Sequence, residues 1–386
     1  MTDSHGAPAS TLGVEVGRAP RRLEAEAEIR MRSVGVDIGS ATSQVLFSLI
    51  RLVKNGSRYV PAETRILYQS PILLTPYAGD ALIDADRLRA FLDEQYALAG
   101  LTPHEVDAGS IICTGTALRK RNSRLVSELF GAHAGHLVAV SAGDHLESVL
   151  AAHGSGALAL SRTGTRVLNV DVGGGTTKLA LCVDGRIEAT TALDVGARLL
   201  VVDDAGTLLR AEPAALTVAT ALGIDLAPGE PVPAPALDAI SAYLIGRVIA
   251  AAPLPGVGSD ERAVPLSLLR CPPLDHTRAV DAVTVSGGVS EFAHGRTTRN
   301  FGDLGPRLAA RLVAGLDRAG VPVTVAPSGI RATVIGAGQF ATQVSGNTIF
   351  LSTPGAVPVR NAPVLVPGFP LGEEVDGDGL ADAITG

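Results

Sequence analysis

The sequence predicts an α/β protein made of two related domains that face each other across a cleft. Three observations predict it. The chain is 386 residues long, beyond the size at which one hydrophobic core usually suffices. Short apolar strands alternate with helical stretches along most of its length, the pattern of a layered α/β fold. A unit of strand, aspartate, glycine-rich turn and strand occurs twice, as VGVDIGSATSQVLF (34–47) and LNVDVGGGTTKLAL (168–181). We therefore divide the chain into a leader (1–32), a first domain (33–165), a second domain (166–366) and a tail (367–386).

Composition excludes several classes. Hydrophobic residues make up 46% and charged ones 18%, which suits a compact protein with ample core. A net charge of −7 argues against a nucleic-acid partner, which would call for a basic surface. Aromatics are scarce at 3%, with no Trp, so stacking on bases or sugars is not the main activity. Cys113, Cys182 and Cys271 form no C-x-x-C; the first two sit in apparent strands and read as buried structural thiols. Sparse, odd cysteines suit a reducing cytoplasm. The leader lacks the apolar core of a signal peptide and no apolar run reaches transmembrane length, so the expectation is a cytoplasmic protein with no membrane partner.

Each element follows from local pattern. In the leader, RRLEAEAEIRMR (21–32) reads as a short charged helix behind a disordered start. SVGVDIG (33–39) is a strand, and ATSQVLFSLIRLV (41–53) a second strand after a tight turn. IDADRLRAFLDEQYALAG (83–100) has helical spacing and stops at Gly100. DAGSIICTGTA (107–117) is a strand leading into a basic helix. Its Arg119, Lys120 and Arg121 are either a solvated face or a partner contact, and His133 and His136 lack the further ligands of a metal site. HLVAVSAGDHLESVLAAHGSGA (136–157) is strand, loop and helix, with Leu146, Val149 and Leu150 on one side. PALDAISAYLIGRVIAAA (235–252) is helical, and AVDAVTVSGGVSEF (279–292) is strand, Gly-Gly turn and helix start. RATVIGAGQFATQVSG (331–346) repeats that strand–Gly–helix shape. The tail carries five acids and no base, the composition of a mobile segment.

The glycine loops separate the candidate chemistries. A P-loop needs lysine directly after its last glycine; here Gly175 is followed by Thr176 and Thr177 before Lys178. Gly336-Ala-Gly338-Gln-Phe-Ala341 matches a Rossmann fingerprint, but residues 347–372 contain no acid to hold a ribose. What remains is the matched pair of hairpins. Such a turn aims backbone N–H groups at one point and forms a nest for anionic oxygens. The preceding aspartate, Asp37 or Asp171, can hold Mg²⁺ through water, because Mg²⁺ keeps much of its hydration shell. Two facing hairpins would clamp a triphosphate and its metal.

With those motifs in place, the sequence resembles the actin, sugar-kinase and Hsp70 ATPase superfamily. Residues 34–47 and 168–181 are similar to its two phosphate motifs and VTVSGGVSEF to its adenosine motif. Within it, CTGTALRKRN (113–122), SAGDHLESVLAAHGSGA (141–157), VLNVDVGGGTTKLALCVDGRI (167–187), VSGGVSE (285–291) and RATVIGAG (331–338) most resemble the ethanolamine ammonia-lyase reactivating factors of EutA type. The resemblance spans nearly all of residues 33–360. It implies an actin-like ATPase (ribonuclease H-like) fold and an ATP-dependent, chaperone-like factor. Such a factor releases damaged cobalamin from stalled ethanolamine ammonia-lyase so that intact adenosylcobalamin enters, with slow ATP hydrolysis switching its partner-binding state.

The resemblance also implies residue roles. Asp37 and Asp171 would be the Mg²⁺ ligands, with Asp171 also orienting the attacking water. Glu147, or Asp144 at comparable spacing, would stand near that water. Gly39, Ser40, Thr42 and Gly173, Gly174, Gly175, Thr176, Thr177 would bind the phosphates of ATP or ADP, while Gly287, Gly288 and Gly336 would lie near the adenosine. Lys178 is either a phosphate ligand or a solvated side chain. No D-x-H-x-x-G cobalamin pattern occurs, so the cofactor is expected to be handled only through the lyase. A homodimer and residence in a bacterial microcompartment are compatible with the sequence. The competing readings are a small-molecule kinase of the same fold and a nucleotide-controlled filament or scaffold protein.

Overall fold

Two sheets are wired in the same order, and that repetition sets up everything else. The computed structural model describes residues 28–39, 42–55, 58–78, 82–113, 137–141, 143–257, 268–326, 329–340 and 344–345. Ser40, the basic cluster Arg119, Lys120 and Arg121, His133, His136 and the acidic tail lie outside the described residues.

In the first domain Glu28–Ile38 (β1), Thr42–Asn55 (β2) and Arg58–Gln69 (β3) form an antiparallel meander. Ala85–Ala99 (α1) follows. Ala108–Cys113 (β4) then runs parallel to β1, and Leu137–Ser141 (β5) parallel to β4. The second domain repeats the plan. Val167–Val172 (β6), Thr177–Val183 (β7) and Arg186–Leu193 (β8) form the meander. Ala282–Ser286 (β9) and Val323–Val325 (β10) add on in parallel. The spatial orders β3-β2-β1-β4-β5 and β8-β7-β6-β9-β10 are therefore the same arrangement used twice. Central strands β1 and β6 are almost wholly buried near their aspartates, as expected for strands covered on both faces.

Local chemistry explains the helices. Asp84 accepts a hydrogen bond from the Arg87 N–H and caps α1, and Gly100 in the left-handed region ends it. The leader is neither helical nor separate from residue 28 onward, because EIRMR alternates. Ile29 faces the core while Glu28 and Arg30 are exposed, which is the period of a strand. Ala234–Ala251 is the one helix among the described residues long and apolar enough to cross a membrane. Its Leu237, Ile240, Leu244, Ile245 and Val248 pack into the core of the second domain instead. Cys113 and Cys182 are buried strand thiols, and burial pushes Cys182 up to about 12.

One expectation is corrected at 331–346. The segment ATVIGAGQF is a helix, Ala332–Phe340, not a strand. It crosses the helix Asp144–Gly154 at backbone contact distance. A Cβ on Gly336 would sit 1.9 Å from the Leu150 carbonyl oxygen, and one on Gly154 would sit 1.8 Å from that of Ala332. Gly336 is thus a packing residue and does not line the cleft, contrary to its predicted role near the adenosine. The same helix packs on β1, β2 and β4, and Val344–Ser345 pairs with β3. The chain therefore returns to the first domain, so the second does not run unbroken from 166 to 366.

Candidate functional site

The two hairpins close with the same turn hydrogen bond. The Gly39 N–H donates to the Thr42 carbonyl at 2.9 Å, and the Gly173 N–H donates to the Thr176 carbonyl at 3.0 Å. Register then places Asp37 opposite Gln44 in one hairpin and Asp171 opposite Lys178 in the other. Because residues opposite one another across a pleated pair project to the same face, each aspartate shares its face with a nitrogen-bearing side chain. Both hairpins open onto one cleft of about 950 Å³.

Of the predicted residues, Asp37, Gly39, Thr42, Glu147, Asp171, Gly173, Gly174, Gly175, Thr176, Gly287 and Gly288 all line that cleft. Thr177 does not: its hydroxyl is buried and donates to the Val195 carbonyl at 2.7 Å. Asp144 also stands outside the lining, held by Arg270 Nε at 2.9 Å. Glu147 is the helix acid that reaches the cleft, which separates two carboxylates that spacing alone left equivalent.

The floor of the cleft is a cluster of buried charge. Lys178 Nζ lies 2.5 Å from Glu147 Oε1 and also bonds Thr176 Oγ1. Lys178 is 3% exposed, so it is a structural cation of the site and not a solvated one. Glu147 Oε2 is buried and makes no hydrogen bond. Ser286 Oγ donates to Asp171 Oδ2 at 2.6 Å, and Ser286 and Thr284 both engage Asn169. This network fixes the Asp171 carboxylate from the strand that precedes the Gly-Gly turn. Gln44 Nε2 donates to Asp37 Oδ2 at 3.2 Å. Burial pushes all three carboxyls up; for Asp37, with Glu147 adding to the effect, the value reaches about 7. Three acids share one ammonium in so dry a setting, so proton uptake or a bound cation would relieve the repulsion among them.

The remaining walls use residues that sequence patterns did not single out. Gly287 adopts φ +82°, and a Cβ there would lie 2.4 Å from the Val172 carbonyl oxygen, so only glycine lets this turn sit on the phosphate-motif strand. The Ala197 and Arg198 N–H groups donate to the Gly173 and Gly174 carbonyls, and the Arg198 side chain pairs with Asp303 at 3.7 Å. Arg299 stacks over Phe301 at 5.0 Å, and Phe301 meets Phe292 edge-on. Gln44 was detectable in principle, because it stands at the same offset from Asp37 as Lys178 does from Asp171. Arg198, Arg299 and Glu291 carry no comparable signal.

A doubled β-meander with two parallel strands, presenting an aspartate and a glycine turn from each copy to one cleft, is the actin-like ATPase fold. The chain belongs to the EutA family: residues 29–385 match the family described as "Ethanolamine utilisation protein EutA". It is 35% identical over 346 residues to the ethanolamine ammonia-lyase reactivase EutA of Salmonella typhimurium, covering 88% of this chain and 73% of that protein. Identity to the Escherichia coli protein of the same name is 34% over the same shares. Solved structures with similar folds include a Ppx/GppA phosphatase of Aquifex aeolicus (13% identity, 80% of this chain and 99% of that one, TM-score 0.46). Another is EutJ of Carboxydothermus hydrogenoformans (17%, 81% and 90%, TM-score 0.40).

Proposed function

We propose that this chain is an ATP-dependent reactivating factor for adenosylcobalamin-dependent ethanolamine ammonia-lyase. It releases damaged cobalamin from the stalled lyase so that intact cofactor can bind, as part of ethanolamine utilisation. The observation that carries the reading is the pair of equivalent hairpins directing Asp37 and Asp171 into one cleft. Kinship with proteins named ethanolamine ammonia-lyase reactivases, across 88% of the chain, directs it to that partner.

The cleft suits ATP or ADP with Mg²⁺. Its acids supply hard oxygen donors, and Glu147 Oε2 is an unpartnered buried acceptor. Among the described residues no three His, Cys, Asp or Glu side chains converge to hold a metal directly, so Asp37 and Asp171 would hold Mg²⁺ through its water shell. When bound, the ion would neutralise phosphate charge. Asp171, fixed by Ser286, orients the attacking water. Glu147 accepts its proton at Oε2, while Lys178 holds Oε1. The turn at Gly173–Thr176 offers N–H groups to phosphate, Gly39 and Thr42 line the same cleft from the first hairpin, and the Gly287–Gly288 turn admits the nucleoside. Nucleotide binding that favours one closure of the two domains shifts the population toward one partner-binding state. The protein works in the cytoplasm and meets adenosylcobalamin only through the lyase; a homodimer and a microcompartment setting are compatible with this.

The test measures phosphate release from ATP with and without inactivated lyase, alongside capture of the lyase. We expect hydrolysis to ADP and phosphate, and lyase capture that differs between ATP and ADP. Transfer of the phosphoryl group to a small-molecule acceptor would favour a kinase and overturn the reading.

A further inference from the structure

The short turn Gly329–Arg331 lies between the two domains and is bonded to both. On the first-domain side, Gln44 Nε2 donates to the Ile330 carbonyl at 3.0 Å. Arg331 Nη1 donates back to Gln44 Oε1 at 3.3 Å, and Arg331 Nη2 donates to the Ser70 carbonyl at 2.9 Å. On the second-domain side, the Ile330 N–H donates to Glu291 Oε1 at 3.0 Å, and the Gly287 N–H donates to the Gly329 carbonyl at 3.2 Å. Glu291 lies on the short helix that begins at the Gly-Gly turn, and Arg296 Nη1 steadies the same carboxylate oxygen at 3.3 Å.

Gln44 is 1% exposed and its amide is fully committed. One N–H goes to Asp37 Oδ2 and the other to the Ile330 carbonyl, while its oxygen accepts from Arg331. The orientation is fixed by chemistry, since a guanidinium can only donate and a carbonyl or carboxylate oxygen only accept. A reversed amide would face oxygen against oxygen at two contacts. In the second hairpin the same register position holds Lys178, which bonds within its own half of the cleft and to Glu147. The two hairpins therefore differ in what they do with that position: Lys178 supplies charge, whereas Gln44 reaches across.

We infer that Gln44 and Glu291 are positioning residues forming a clasp, in which the Gly329–Arg331 turn links the Asp37 hairpin to the Gly-Gly helix on the opposite side of the cleft. Its place in turnover rests on the nucleotide reading above; the clasp itself rests on the hydrogen bonds alone. Its consequence is that the Asp37 carboxylate and the domain spacing are set together. A disturbance at either end is transmitted to the other through Ile330, whose carbonyl and N–H are held from opposite domains.

The test is hydrogen–deuterium exchange on the full chain for wild type, Gln44→Glu, Glu291→Ala and Glu291→Gln. Gln44→Glu keeps shape but sets oxygen against the Asp37 carboxylate and the Ile330 carbonyl. It should speed exchange at least tenfold in peptides covering Gly329–Arg331 and also in Gly288–Ala293, on the far side. Glu291→Ala should do the reciprocal, speeding exchange around Asp37 and Gly39. Glu291→Gln, which retains an oxygen acceptor for the Ile330 N–H, should restore most of the protection. Changes confined to the mutated element in both Gln44→Glu and Glu291→Ala would overturn the clasp. In turnover, Gln44→Glu should lower kcat roughly tenfold with KM for MgATP nearly unchanged, the split expected when a bound geometry is misaligned. A wild type that hydrolyses no ATP would count against the proposed function, while the exchange result still decides the clasp.

Discussion

Lys178 and Glu147 form a buried ion pair at 2.5 Å on the floor of the cleft, and Lys178 comes from the second hairpin while Glu147 comes from the helix Asp144–Gly154. Removing one partner leaves a dry, uncompensated charge. Lys178→Met should destabilise the protein by about 3–5 kcal/mol, measured by urea unfolding. The double variant Lys178→Met with Glu147→Gln should recover a large part of that loss. A double variant no more stable than the single one would show that the pair does not act as a unit.

Asp171 carries the chemistry in this reading. Asp171→Asn keeps an acceptor for Ser286 and removes a carboxyl whose ionisation burial opposes, so it should not lower the melting temperature. It should lower the ATP hydrolysis rate by at least about 100-fold, the scale seen when one electrostatic element of a site is removed. Steady-state phosphate release checks it, with nucleotide binding measured in parallel.

Acid–base linkage gives a prediction for the nucleotide-free protein. The folded chain holds Asp37 at about 7, raised by burial and by Glu147, whereas an unfolded aspartate titrates near 4. Between those values the folded state binds a proton that the unfolded state has released. Stability from this group is therefore complete at low pH, falls as pH rises through that window, and is lost above about 7. Asp171 and Glu147 are shifted the same way by burial. Thermal unfolding between pH 5 and 8 should show a decline that Asp37→Asn makes shallower; an unchanged slope would contradict it.

Two glycines separate packing from permissiveness. Gly336→Ala forces a Cβ to within 1.9 Å of the Leu150 carbonyl oxygen in the crossing of two helices. It should cost about 2–3 kcal/mol through overpacking. Gly246 lies within the helix Ala234–Ala251 and a Cβ there meets nothing within 4 Å, so Gly246→Ala should add about 0.5–1 kcal/mol. Opposite shifts in melting temperature check both.

How much of this was legible in the sequence depends on range. The hairpins were readable because strand, aspartate and glycine turn are contiguous, and each of their short-range signals points to one geometry. The helix Ala332–Phe340 reads as a strand in the sequence because residues 332–338 are all buried, so no polar stripe marks a helical period. ATVIG is also rich in β-branched residues, which favours a strand reading. The leader misled for the opposite reason: charges at Glu28, Arg30 and Arg32 hid a strand whose alternation is only two residues deep before the core begins. Asp37, Asp171 and the cleft-lining glycines are legible through their motifs, Gly336 is not, and the choice of Glu147 over Asp144 needs the Arg270 contact. Gln44 meeting Ile330 and Arg331 joins positions nearly the whole chain apart, and a single sequence holds no local trace of such a contact.

The most direct test of the central claim mixes the purified chain with cyanocobalamin-inactivated ethanolamine ammonia-lyase, ATP, Mg²⁺ and adenosylcobalamin, and follows deaminase activity. The account predicts recovery of activity with the wild-type chain and ATP, and none with Asp171→Asn or without ATP. No recovery with the wild-type chain, while lyase that was never inactivated stays active in the same mixture, would contradict it.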